Sequence, residues 1–135
     1  MADVSGIALS GAQAQLARLA ASASNTANLH SRGALPATDG STPPGQPEPY
    51  RPVEAVTVAA ASGARTVFRP VTPAFIPEFD PQASFANDQG VVAAPNIDLA
   101  GEATTRLAAG RAYQANLAVI KTNDELLKTL LDAKA

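Results

Sequence analysis

The chain has 135 residues, enough for one ordinary domain, but 30 of them are alanine, only 4% are aromatic and none is tryptophan. A net charge of −2 without a basic run excludes binding to a phosphate backbone, and the lack of cysteine excludes disulfides and thiolate chemistry. No apolar run approaches the ~20 residues of a membrane helix, and no basic stretch leading into a hydrophobic run marks a cleaved secretory signal.

Burial stabilises by roughly 25 cal/mol per Å² of apolar area, and alanine supplies little area per residue. The 46% hydrophobic fraction therefore predicts thin, elongated packing of closely approaching helices, with full stability drawn from neighbours.

All 11 prolines lie between Pro36 and Pro95. Proline in a helix interior costs about 3 kcal/mol, so long helices are confined to the two ends. The N-terminal segment reads as helix from Asp3 or Ser5 to about Leu29. Leu9, Ala12, Leu16, Leu19, Ala23 and Thr26 form a stripe in steps of three and four, closer to a coiled-coil seam than to a broad face. Gly33 and Pro36 stand at stop positions.

The middle has two characters. Residues 33–52, "GALPATDGSTPPGQPEPYRP", read as a loop that is mobile in the free monomer. "VEAVTV" and "ARTVFRPV" read as a hairpin around Gly63, with Pro70 and Pro73 limiting any continuation to an edge strand. Residues 77–95 read as loop again, with "GVV" a candidate short strand.

The C-terminal helix is expected from Asp98 to about Ala133, capped by Asn96 or Asp98, and roughly 54 Å long at ~1.5 Å per residue. Its stripe is Leu99, Ala103, Leu107, Gly110, Tyr113, Leu117, Ile120, Asp124, Leu127 and Leu131. The fold class is mainly α with a small β part: terminal helices paired as a coiled coil, with the loop and hairpin between them. The domains expected are 1–32, 33–95 and 96–135. The intrachain seam expected sets Leu9, Leu16 and Leu19 against Leu107, Leu117, Ile120 and Leu127.

No HExxH, Walker, GxGxxG or GxSxG pattern is present, and His30 is the only histidine. Asp98 and Glu102 sit where the helix dipole favours acidic residues, and Glu125 with Lys128 reads as a surface pair. The sequence therefore predicts no enzyme, cofactor or metal site. The informative polar residues are Asn25, Asn28, Gln114 and Asn116, since an asparagine in a helix seam fixes register at a cost in stability.

"ASNTAN" (Ala23–Asn28) resembles the Ala-Ser-Asn-x-Ala-Asn motif of the bacterial flagellar rod, hook and hook-associated proteins. "PNIDLAGEATTRLAAGRAYQANLAVIKTNDELLKTLLDA" (Pro95–Ala133) resembles their C-terminal helix, with Arg111, Tyr113, Ala115 and Asn116 on its Arg-x-Tyr-x-Ala-Asn core. "GQPEPYRPVEAVTV" is similar to the Gly-x-Pro-Tyr-Arg stretch of the short rod proteins, with Glu48-Pro49 inserted before Tyr50. The family's methionine near Glu102–Thr104, its Pro-x-His-Pro pattern and the tyrosine after Gly90 are missing. The length, without a large middle domain, resembles the proximal-rod members.

The resemblance implies a structural subunit with no cofactor. It would be exported through the flagellar type III apparatus without a cleaved signal and stacked helically in the periplasmic rod. Its partners would be copies of itself, other rod subunits, the export apparatus, and the inner-membrane ring with its adaptor; nucleic acid and membrane insertion are not expected. The interface residues expected are Leu9, Leu16, Leu19, Asn25, Asn28, Leu107, Arg111, Tyr113, Asn116, Leu117, Ile120, Leu127 and Leu131. The alternatives are another flagellar axial subunit or a cytoplasmic helical-hairpin adaptor.

Overall fold

The computed structural model describes residues 3–37 and 40–134. In chain order these form α1 (Val4–Ala27), β1 (Val53–Ala60), β2 (Gly63–Pro70), β3 (Phe75–Phe79), β4 (Val91–Pro95) and α2 (Leu99–Asp132). The mainly helical class with a small β part is what the sequence predicts.

Both helices start on aspartate caps. Asp3 accepts from Gly6 N at 2.9 Å and Asp98 from Ala100 N at 3.0 Å, each satisfying a backbone donor that the first turn leaves free. Asn28 closes α1 from outside its last turn, donating from Nδ2 to Ser24 O at 2.9 Å.

The helices pack antiparallel. Ser22 Oγ donates to Glu102 O at 3.1 Å and Arg106 Nη1 to Thr26 Oγ1 at 3.3 Å. At the other end Asn123 Nδ2 donates to Ser5 Oγ at 2.9 Å. On α2 the row facing α1 runs Glu102, Arg106, Ala109, Tyr113, Asn116, Ile120, Asn123, in steps of four and three. Ala109 is completely buried on it. On α1 the matching row is Ser5, Ala8, Ala12, Leu19, Ser22 and Thr26. Gly11 also belongs to the contact, because a Cβ there would stand 2.5 Å from Asn116 Oδ1. Small side chains thus set the approach, as the alanine content predicts.

β1 and β2 form a hairpin in register Val53↔Pro70 to Ala60↔Gly63, leaving Ala61-Ser62 as the turn just before Gly63. The hairpin lies along a second side of α1. Ser10 Oγ accepts from Ala64 N at 3.0 Å near its tip, and Asn25 bonds Val53 at its root. Inside the hairpin the buried Thr66 hydroxyl has no hydrogen-bond partner among the described residues. An orphaned polar atom costs stability and an apolar isostere removes that cost. Thr66→Val should therefore stabilise the chain by roughly 0.5–1 kcal/mol, read as a higher urea midpoint.

The loop expected over 77–95 is in part a second ribbon. β3 pairs with β4 from Phe75↔Pro95 to Phe79↔Val91. Pro77 and Pro95 argue against strand in a sequence reading, yet a two-stranded ribbon has free edges that tolerate a missing N–H. β4 also bridges Gly33, which exchanges both backbone bonds with Ala93. Arg32 grips β3 beside it, with Nε to Glu78 Oε2 at 3.0 Å and Nη2 to Glu78 Oε1 at 2.6 Å.

Of the loop expected over 33–52, Thr38 and Asp39 lie outside the described residues. The rest is pinned at its ends: Ala34 N donates to Pro47 O at 2.9 Å and Tyr50 N to Ser31 O at 3.0 Å. Pro49 and Pro52 are buried, while 43–48 are exposed.

The core is made of alanine. Ala8, Ala12, Ala14, Ala21, Ala34, Ala55, Ala93, Ala94 and Ala109 are buried, with Val92. The accessible surface is 8893 Å², against roughly 6,600 Å² for a compact monomer of 13.7 kDa.

Candidate functional site

Asn25 is the most heavily bonded side chain at the meeting of α1, the hairpin and α2. It is 3% exposed, in the last complete turn of α1. Nδ2 donates to Val53 O at 2.9 Å and to Glu102 Oε1 at 2.6 Å. Oδ1 accepts from Val53 N and from the Tyr50 hydroxyl, both at 3.1 Å. Both donors and both lone pairs of the amide are thus used. Ser24 Oγ lies 3.0 Å from the same tyrosine oxygen. The junction ties the end of α1 to the start of β1, the start of α2 and the loop before β1. The Asn25 amide is fully satisfied within one chain, so its role here is to position these elements.

Asn28 also bonds locally, accepting from Ser31 Oγ at 3.0 Å in addition to its bond to Ser24. Asn116 turns back on its own helix, donating to Ala112 O at 2.8 Å beside Gly11. Leu19, Tyr113 and Ile120 are half-buried and share the helix–helix side with it. Arg111 and Gln114 are exposed.

The other predicted interface residues point away from that seam. Leu9, Leu16, Leu107 and Leu117 are exposed by 50, 48, 65 and 42%. Leu127 and Leu131 are exposed on the last turns of α2. The intrachain seam of leucines is therefore corrected. The helices meet through a row phased differently on each helix, because alanine, serine and glycine permit a closer approach than leucine does. Leu9 and Leu16 are left as an outer stripe, seven residues apart on one face of α1. A further correction concerns Glu125, whose partner is Lys121 at 3.9 Å rather than Lys128.

Asp98 is occupied as a cap and Glu102 as a partner of Asn25, and His30 is exposed. Among the described residues no group of three or more His, Asp or Glu side chains is placed to hold a metal ion, and no helix is long and apolar enough to cross a membrane. Sequence reasoning missed Tyr50 and Glu102 as the partners of Asn25, and missed the Arg32–Glu78 pair. Their separations of 25, 77 and 46 positions leave no periodic signal.

Paired terminal helices with a small β region between them and a surface rich in exposed leucine define an assembly protein. Residues 88–133 match the family model described as flagellar basal body rod FlgEFG protein C-terminal. Over 95% of its length the chain is 38% identical to the flagellar basal-body rod protein FlgC of Yersinia enterocolitica, covering 92% of that protein. It is 37% identical to FlgC of Salmonella typhimurium over the same shares. It is 31% identical to FlgC of Agrobacterium fabrum over 98% of this chain and 94% of that one. The chain belongs to the FlgC family of flagellar basal-body rod proteins, and is a structural rod subunit of the flagellar basal body.

Proposed function

We propose that this subunit builds the proximal rod by helical stacking, forming part of the periplasmic drive shaft and of the wall of its export channel. The observation that carries the reading is the inversion of apolar residues. Alanines fill the inside, while Leu9, Leu16, Leu107, Leu117 and the leucines at the end of α2 face outward. Exposed apolar surface on this scale marks interaction faces. A chain that buries so little area alone gains much of its stability when neighbours cover it.

The chain travels through the type III export apparatus and completes its order on docking. Its terminal segments, 1–32 and 96–135, form the coiled-coil wall. Segment 33–95 meets neighbouring subunits, other rod proteins and, at the base, the inner-membrane ring and its adaptor.

Deleting the gene should stop flagellar assembly before the hook, seen as basal bodies without hooks by electron microscopy. Normal hooks would remove the reading in favour of an adaptor role. A point variant separates assembly from folding. Leu117 is exposed, so Leu117→Asp should change monomer stability by no more than ~0.5 kcal/mol, while a charge buried between subunits is costly and should abolish swimming. Unimpaired swimming would take Leu117 out of the interface.

A further inference from the structure

The hairpin is held to α1 unequally at its two ends. At the root the Asn25 amide bonds both the N–H and the carbonyl of Val53, and Val71 N donates to the carbonyl of the buried Pro52 at 3.0 Å. At the tip the hold is the bond from Ala64 N to Ser10 Oγ, which itself donates to Ile7 O at 2.7 Å. Gly63 permits this close approach, since a Cβ there would collide with Ser10 Oγ and stand 3.4 Å from Ile7 Cα. Between the two ends, register and alternation place Ala55, Thr57, Ala59, Ala64 and Thr66 on one face. The helix meets it with Ala14 and Ala21, buried in step with Ser10 and Asn25. Alanine methyls bury little area, and the Thr66 hydroxyl is buried without a partner among the described residues. A groove of about 360 Å³, lined in part by Ile7, Ser10, Gln13, Ala61 and Ser62, opens beside the tip.

We propose that the hairpin is a hinged arm, which pivots at Asn25 and lifts its tip from Ser10 while the rest of the chain stays folded. Lifting gives up one neutral hydrogen bond at the tip, whose two partners then bond water, so the net loss is small. It also brings water to the Thr66 hydroxyl, which offsets part of that loss. The cross-strand pairs from Val53↔Pro70 to Ala60↔Gly63 are untouched, so the arm moves as one body. The root keeps its two bonds to one amide and serves as the pivot. Elements held by few buried apolar contacts open in this way below the free energy of global unfolding. The lifted arm uncovers the side of α1 that carries Ser10 and Ala14, so one subunit has two shapes to offer its surroundings.

Amide exchange on the full-length chain reads the movement, because Ala64 N reports the tip and Val53 N the root. Corrected for intrinsic rates, Ala64 should exchange at least about tenfold faster than Val53 and respond less to urea. Equal protection at the two amides overturns the proposal. Lifting differs from fraying of the outermost residues because it hydrates Thr66. Thr66→Val removes that gain and should slow exchange at Ala64 by roughly two- to fivefold; an unchanged rate means fraying alone and overturns the hinge. Distance gives an independent reading. The chain has no cysteine, so spin labels attach only at introduced sites, here Q13C and A61C, both at exposed positions. Ser10→Val deletes the acceptor at the tip. It should lengthen the label-to-label distance by roughly 10 Å, about half the ~22 Å length of the arm. Gly63→Ala blocks the same approach from the hairpin side and should give the same shift, which covers the failure of either variant to fold. A wild-type distance in the folded variants overturns the proposal.

Discussion

Replacing Asn25 with alanine is expected to destabilise the isolated chain by about 3 kcal/mol, since each orphaned buried partner costs roughly 1–3 kcal/mol. The substitution leaves the Val53 N–H, the Val53 carbonyl and the Glu102 carboxylate without their amide partner. At a typical urea dependence of ~1–3 kcal/mol/M the midpoint should fall by roughly 1–3 M. The alanine core leaves little stability in reserve, so far-UV circular dichroism should show the transition moved close to zero denaturant. Asn25→Asp should be at least as damaging, because it removes both donors and sets a carboxylate against Glu102. Asn28→Ala serves as the control. It removes a cap bond in a more open setting, and should cost only ~1 kcal/mol. If Asn25→Ala unfolded within ~0.5 kcal/mol of wild type, the junction would not hold these elements together.

Gly33→Ala should be comparably severe for a different reason. A Cβ at this position would lie against the backbone of Pro47, Glu48 and Pro49, within 2.6 Å of the Glu48 carbonyl carbon. Backbone atoms cannot swing aside as a side chain can, so the segment must shift. Overpacking of this kind typically costs 1–3 kcal/mol, and here it also threatens both backbone bonds to Ala93 and the Ala34–Pro47 bond. The neighbouring grip of Arg32 on Glu78 would be misaligned with them. A loss of about 3 kcal/mol or more is expected, together with faster amide exchange at Val92, Ala93 and Ala94. Unchanged exchange at Ala93 would mean that the bridge is not what holds β4.

The helices were legible because proline punctuates the chain and aspartates cap both starts. The hairpin was legible because valine and threonine alternate up to Gly63. The second ribbon was not, because prolines at positions 77 and 95 imitate a loop. The site was legible by residue type but not by contact. Asn25 and Asn116 stand out as polar residues in helices, yet their partners lie on other elements or one turn back. The leucine stripes show why periodicity misplaced the seam. A repeat of large apolar residues states that a face avoids water, not which body covers it. Alanine and serine, which settle the contact between α1 and α2, carry a weak hydrophobic signal and were outweighed by their neighbours.

The hairpin touches α1 by hydrogen bonds at two separated points, Ser10 with Ala64 and Asn25 with Val53. These points are about 22 Å apart along the helix axis, and strands of this length extend roughly as far. An isolated helix resists bending only through its own backbone. Here a second member runs alongside and is fastened at both ends, like a splint on a shaft. Curving α1 over this interval would require the strands to stretch, slide along it or release one fastening. Stiffness in this chain therefore comes from the strapped pair of members, and it should fail first at Ser10, whose single bond to Ala64 is the weaker fastening.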